Sequence, residues 1–133
     1  MIVADSDVLI DYLRGKGPGA DRVERELRSG TFATTAVTAF ELWAGARSQR
    51  QQRAVRRILA PLDVLPLGRS AAETAGEVRR TLDAAGLGIG MADSLIAGIC
   101  LASRGILLTR NQRHFERVPG LSLATVDESE EEA

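Results

Sequence analysis

At 133 residues, 44% of them hydrophobic and 26% charged, the chain fits one domain, and a second is not supported. Its apolar runs are short and broken by charge, and no basic leader precedes a long apolar stretch, so a membrane span and a secretory signal are not expected and the cytoplasm is. One cysteine, Cys100, and one histidine, His114, exclude an internal disulfide and a four-ligand structural zinc site.

The net charge of −1 conceals an asymmetry, because Asp127, Glu128, Glu130, Glu131 and Glu132 fall in the last seven residues and no basic residue does. Without them 17 basic residues face 13 acidic ones, and all the basic residues except Lys16 are arginines, a composition that permits bidentate phosphate contacts. The tail lacks apolar periodicity. The expected organisation is a domain over residues 1–126 followed by an acidic, disordered tail at 127–133.

In chain order, Ile2 to Ala4 predicts a strand, and Val8 to Leu13 carries apolar residues at helical spacing until Gly15, Gly17, Pro18 and Gly19 interrupt it. Val23 and Leu27, set among charged neighbours, predict an amphipathic helix from Ala20 to Gly30. Thr31 to Thr35 follows as a strand, Thr38 to Ala46 as a helix, Gln51 to Leu59 as another before Pro61, and Asp63 to Leu67 as a third strand. Ser70 to Ala85 is helical. After Gly86, Gly88 and Gly90, Ala92 to Ala102 predicts an apolar helix, Ile106 to Leu108 a buried strand, and Leu121 to Val126 a last strand. Strands alternating with helices predict right-handed crossovers, hence an α/β protein, a three-layer α/β/α sandwich on a parallel sheet of four to five strands. Ligands bind such sheets beyond the strands' carboxyl ends, which gathers Asp5, residues 35–41 and residues 109–111 around one crevice.

Asp5-Ser6-Asp7 after an apolar strand suits two chemistries. A phosphatase would use Asp5 as nucleophile and Asp7 as general acid, but it also needs a lysine late in the chain, and Lys16 stands only eleven residues after Asp5. A metal-dependent nuclease would use scattered acids. Asp93 begins an otherwise apolar helix, where the helix dipole alone could account for it, and Glu41 matches a capping box with Thr38. Taken together, Asp5, Glu41 and Asp93 fall on one edge of the sheet, where clustered carboxylates repel unless a cation compensates. Oxygen donors without His or Cys favour Mg²⁺, or Mn²⁺, over zinc.

These residues resemble the PIN-domain ribonucleases, specifically the VapC-type toxins of type II toxin–antitoxin pairs. Asp5-Ser-Asp7-Val-Leu-Ile-Asp11 is similar to the family's opening run and Thr38-Ala-Phe-Glu41-Leu-Trp-Ala-Gly45 to its Thr-x-x-Glu-Leu-x-x-Gly helix. Ala92-Asp93-Ser-Leu-Ile-Ala97 and Leu108-Thr-Arg-Asn111-Gln-Arg-His-Phe115 complete the match over residues 2–126. The resemblance implies that Asp5, Glu41 and Asp93 are metal ligands and that Asn111, an aspartate in many relatives, holds the fourth catalytic position. Ser6, Asp7 and Thr109 would hydrogen-bond or orient the cluster, and His114, which replaces a frequent aspartate, is expected on the surface. It further implies Mg²⁺-assisted hydrolysis of structured RNA, a small VapB-like antitoxin and a homodimer. Arg14, Arg47, Arg50, Arg53, Arg110 and Arg113 are candidate phosphate contacts, although each also suits a solvated helix face. The aromatic residues, Tyr12, Phe32, Phe40, Trp43 and Phe115, mostly fall at core spacing. Asn111 motivates one alternative, a catalytically weak domain that binds RNA or regulates.

Overall fold

The computed structural model describes residues 1–127, so the expectation of a disordered tail lies, from Glu128 onward, outside the described residues. The strands are β1 (Ile2–Ala4), β2 (Phe32–Thr35), β3 (Asp63–Leu65), β4 (Ile106–Leu108) and β5 (Ser122–Ala124). The helices are α1 (Ser6–Arg14), α2 (Gly19–Ser29), α3 (Ala36–Gly45), α4 (Gln49–Leu59), α5 (Arg69–Ala84), α6 (Met91–Ser103) and α7 (Gln112–Phe115). All strand pairs are parallel, in the order β3-β2-β1-β4-β5. Among the described residues no helix is long and apolar enough to cross a membrane.

Two side-chain layers follow from the pleat, since alternate residues of a strand face opposite sides. Ala4, Phe32 and Leu108 pack with Val8, Leu9, Val23, Val55 and Ile58 of α1, α2 and α4. Val3, Ala33 and Leu107 point the other way, onto Val78, Leu82, Ile96 and Phe115 of α5, α6 and α7. β1 and β4 are therefore apolar on both faces, as a covered parallel sheet requires, while β2 ends in the buried Thr34 and Thr35.

The chain leaves β1 toward β2 and β3 on one side and reaches β4 and β5 on the other. The carboxyl end of β1 is thus the point where winding reverses, the place where an open α/β sheet leaves a crevice. Asp5, Thr35 and Thr109 are the residues that end or immediately follow β1, β2 and β4.

Several boundaries differ from the sequence expectation. β3 and β5 are shorter than predicted because the ladder closes after three residues, and α7 was not anticipated, since four residues carry no helical periodicity. Helix α3 begins at Ala36, two residues before Thr38. Thr35 keeps an extended backbone, φ −105° and ψ 158°, and its hydroxyl accepts the N–H of Thr38, so Thr35 is the cap. The capping box expected between Thr38 and Glu41 is absent, which leaves the Glu41 carboxylate without a backbone duty.

Candidate active site

Asp5 leaves the sheet in extended geometry and is pinned by the ladder, its N–H donating to the Leu108 carbonyl at 2.9 Å. Its Oδ1 accepts the Ser6 N–H at 2.8 Å, capping α1, and its Oδ2 accepts the Thr109 hydroxyl at 2.7 Å. Only 6% of the residue is exposed. Burial raises its pKa from 3.8 to about 6, with the charges of Asp7 and Asp93 adding to the rise and the Thr109 and Ser6 hydrogen bonds opposing it.

Asp7 lies in the first turn of α1. Its Oδ2 accepts the Arg110 N–H at 3.0 Å and stands 3.3 Å from the Thr109 hydroxyl, whereas its Oδ1 is buried without a partner among the described residues. Burial again leads in raising its pKa, over the lowering effect of Arg110. Glu41, on α3, has its Oε1 buried and unpartnered among the described residues; burial and then the charge of Asp93 raise its pKa, against a hydrogen bond with the Ser6 side chain.

Asp93 sits in the first turn of α6, which starts after Gly90, and is half-buried. Its Oδ2 is 3.2 Å from Nδ1 of His114. The expected surface histidine is therefore a partly exposed partner of Asp93, carried there by α7. Asn111 caps no helix with its side chain, but its N–H donates to the Thr109 hydroxyl oxygen at 2.9 Å. Thr109 is thus the hub that joins Asp5 to the Asn111 turn.

Asp93 acts electrostatically on both Asp5 and Glu41, and Thr109 links Asp5 to the N–H of Asn111, so the fold draws these residues toward one region from elements separated by up to about a hundred positions. Among the described residues no three His, Cys, Asp or Glu side chains already stand at the spacing of a finished metal cage. The donor chemistry nevertheless fits a hard divalent cation. It consists of carboxylate oxygens, two of them buried and unpartnered on Asp7 and Glu41, and burial and mutual repulsion push Asp5 and Glu41 toward protonation. A cation drawn toward Asp5, Glu41 and Asp93 would relieve both.

The arginines divide. Arg14 and Arg50 line a groove of about 620 Å³ that reaches Glu41. Arg47, Arg53 and Arg113 are exposed. Arg110 is not a free cation, because its Nε and Nη2 hold Asp11 at 2.9 and 3.2 Å. Asp11 was missed as a site residue: its spacing from Asp7, one turn along α1, is visible in the sequence, but its partner lies 99 residues away. The aromatics also correct the expectation, since Tyr12, Phe40 and Trp43 are 36, 70 and 38% exposed and only Phe32 and Phe115 are buried. Trp43 carries the Arg56 guanidinium 5.4 Å above its ring.

A family model for the PIN domain matches residues 2–121. The chain is 33% identical to the "tRNA(fMet)-specific endonuclease VapC" of Shigella flexneri, covering 88% of this chain and 91% of that protein. It is 36% identical to "Ribonuclease VapC10" of Mycobacterium tuberculosis over 86% of each chain. Among solved structures, the fold superposes on VapBC2 from Rickettsia felis bound to a promoter DNA fragment with TM-score 0.83 and 25% identity, covering 94% of this chain and 98% of that one. DNA-bound VapBC from Salmonella typhimurium gives 0.84 and 26%, covering 94% and 97%.

Proposed function

Because the chain belongs to the PIN-domain family, in its VapC branch, we propose that it is a Mg²⁺-dependent endoribonuclease toxin of structured RNA, transfer or ribosomal, restrained by a small VapB-like antitoxin. Mn²⁺ is an acceptable substitute for Mg²⁺. The names of its relatives, an endonuclease specific for a transfer RNA and a ribonuclease, support the substrate class, and the solved VapBC complexes support the antitoxin. Assembly as a homodimer and residence in the cytoplasm belong to the same proposal.

The observation that carries it is the pair of buried carboxylate oxygens unpartnered among the described residues, one on Asp7, two residues after Asp5 at the winding reversal of the sheet, and one on Glu41, whose side chain meets Ser6. Asp5, Glu41 and Asp93 would hold the cation, with Asn111 in the fourth position. When bound, Mg²⁺ supplies an activated water and offsets charge on the scissile phosphate. The protein does the rest by positioning. The Ser6 N–H and the Thr109 hydroxyl fix the two oxygens of Asp5, Ser6 steadies Glu41, and His114 holds Asp93 at the entrance of α6. Arg14 and Arg50, in the groove that reaches Glu41, and the exposed Arg47, Arg53 and Arg113 would meet the RNA backbone. The attacking group is water rather than the ribose 2′-hydroxyl, so the products carry 5′-phosphate and 3′-hydroxyl ends and RNA is selected by its shape.

The test is incubation of total RNA with the purified protein and with Asp93→Asn, in Mg²⁺ and in EDTA, with the cut ends mapped. Cleavage by the wild type in Mg²⁺ alone supports the reading; cutting that persists in EDTA or in the variant overturns it. Equal RNA binding by both proteins with no cutting by either would favour the RNA-binding module that Asn111 motivates.

A further inference from the structure

We propose that Arg110, gripped by the buried carboxylate of Asp11, is a positioning residue that locks the turn of Thr109, Arg110 and Asn111 across the acidic site. The inference deepens the nuclease reading and rests on it for its catalytic consequence.

Asp7 and Asp11 are one helical turn apart on α1, and both receive the same residue of the turn after β4. Asp7 takes the main-chain N–H of Arg110 at 3.0 Å, and Asp11 takes its side chain through Nε at 2.9 Å and Nη2 at 3.2 Å. Two donors from one guanidinium to one carboxylate fix orientation as well as distance, which a lysine would not do.

The socket around Asp11 is built for this. Asp11 is 6% exposed, and the chain between α1 and α2 folds directly over it. The Gly19 N–H donates to Oδ2 at 2.9 Å. Gly17 has φ +104°, and a Cβ there would lie 2.7 Å from Cγ of Asp11, so a side chain at that position would evict the carboxylate. The glycines close one side of Asp11 and leave the other open to Arg110.

Position then links this pair to the chemistry. β4 ends at Leu108, so no strand ladder holds the turn that follows. Thr109, on one side of Arg110, donates to Asp5 at 2.7 Å, and Asn111, on the other, donates its N–H to Thr109 at 2.9 Å. Gln112 anchors the far side, its Nε2 donating to the carbonyls of Thr109 at 2.7 Å and Ala124 at 3.2 Å. Beside the 3.3 Å approach of the Thr109 hydroxyl to Asp7, Arg110 ties this turn to α1 twice, by its N–H to Asp7 and its guanidinium to Asp11. The side chain is 41% exposed, yet its Nε and Nη2 are already spent on Asp11, so a phosphate contact would have to compete with a buried anion.

The experiment compares wild type, Arg110→Gln, Arg110→Lys and the double variant Arg110→Gln/Asp11→Asn, with bulk transfer RNA as substrate and hydrogen exchange of the 109–112 amides as a readout independent of cleavage. Arg110→Gln should lower kcat about tenfold or more with KM changed less than about threefold, because a displaced turn harms alignment more than binding. It should also speed exchange at residues 109–111 while the amides of α5 and α6 keep their protection. Arg110→Lys should recover part of both effects, and the double variant should be no slower than Arg110→Gln, since the two residues act as one unit. A rise in KM at unchanged kcat would make Arg110 a phosphate contact and overturn the proposal. So would unchanged exchange in the turn, or additive losses in the double variant. If the wild type cuts neither transfer nor ribosomal RNA, the nuclease reading fails separately, and the exchange measurement still decides whether Arg110 holds the turn.

Discussion

Where α5 lies against α6, Ala71, Ala75 and Gly98 bring the helices so close that a Cβ on Gly98 would stand 2.6 Å from that of Ala75 and 2.7 Å from the Ala71 carbonyl oxygen. Beyond the carboxyl ends of the central strands lie Asp5, buried, and Asp7 and Glu41, half-buried, with two carboxylate oxygens unpartnered among the described residues. Both regions are shielded from water, but their energetics are opposed. The helix pair is stabilised by close apolar contact whatever the pH or ion content. The acidic edge is at odds with its surroundings, and protons or a cation ease it. Stability and chemistry are thus assigned to different parts of one small fold, so substitutions should separate them.

The largest effect is expected in activity at the acidic edge. Asp93→Asn should lower RNA cleavage by roughly a thousandfold, on the scale of removing a main electrostatic element of a site, while circular dichroism and the melting temperature stay close to wild type. Asp5→Asn should be equally inactive yet more stable than wild type in EDTA at pH 7.5. The relief is about 3 kcal/mol at most, taken from the rise in pKa from 3.8 to about 6.

The same shift fixes a pH dependence. Between pH 3.8 and about 6 the folded protein keeps a proton on Asp5 that the unfolded chain has lost, so metal-free stability falls as pH rises through that window. Asp7 and Glu41, also raised, push in the same direction. Urea melts in EDTA should show this slope in wild type and a shallower one in Asp5→Asn. Added Mg²⁺ should restore stability at pH 7.5 and do little at pH 4.5, where the carboxyls are more protonated.

In the other region, Gly98→Ala should cost about 1 to 3 kcal/mol through overpacking. The melting temperature should drop by several degrees, and kcat on transfer RNA at 25 °C should be unchanged. A loss of kcat as large as that of Asp93→Asn would show that the two regions are not separate. Smallest is Arg14→Ala with Arg50→Ala, expected to raise KM for RNA a few-fold and to flatten its salt dependence by about one or two counterions.

Much of this was legible in the sequence because strand ends and helix starts are local events. The apolar run Ile2 to Ala4 followed by Asp5, and the glycines before Asp93, mark their positions without reference to anything distant. The start of α3 was misplaced because Thr35 and Thr38 are both competent caps, and only the end of the β2 ladder chooses Thr35. The pairing of Asp11 with Arg110 and of Asp93 with His114 depends on which loops meet across the sheet, and no periodicity encodes that. Tyr12, Phe40 and Trp43 stay exposed although their spacing suggested the core, because the faces they occupy are not covered within a single copy of the chain.

Calorimetric titration of Mn²⁺ into the metal-free protein at pH 7.5, beside Asp93→Asn, addresses the site most directly. Saturable binding by the wild type that is lost or weakened at least tenfold in the variant is the result expected if Asp5, Glu41 and Asp93 form one cation site. Equal binding by both proteins, or RNA cleavage by a wild type that binds no ion, would contradict it.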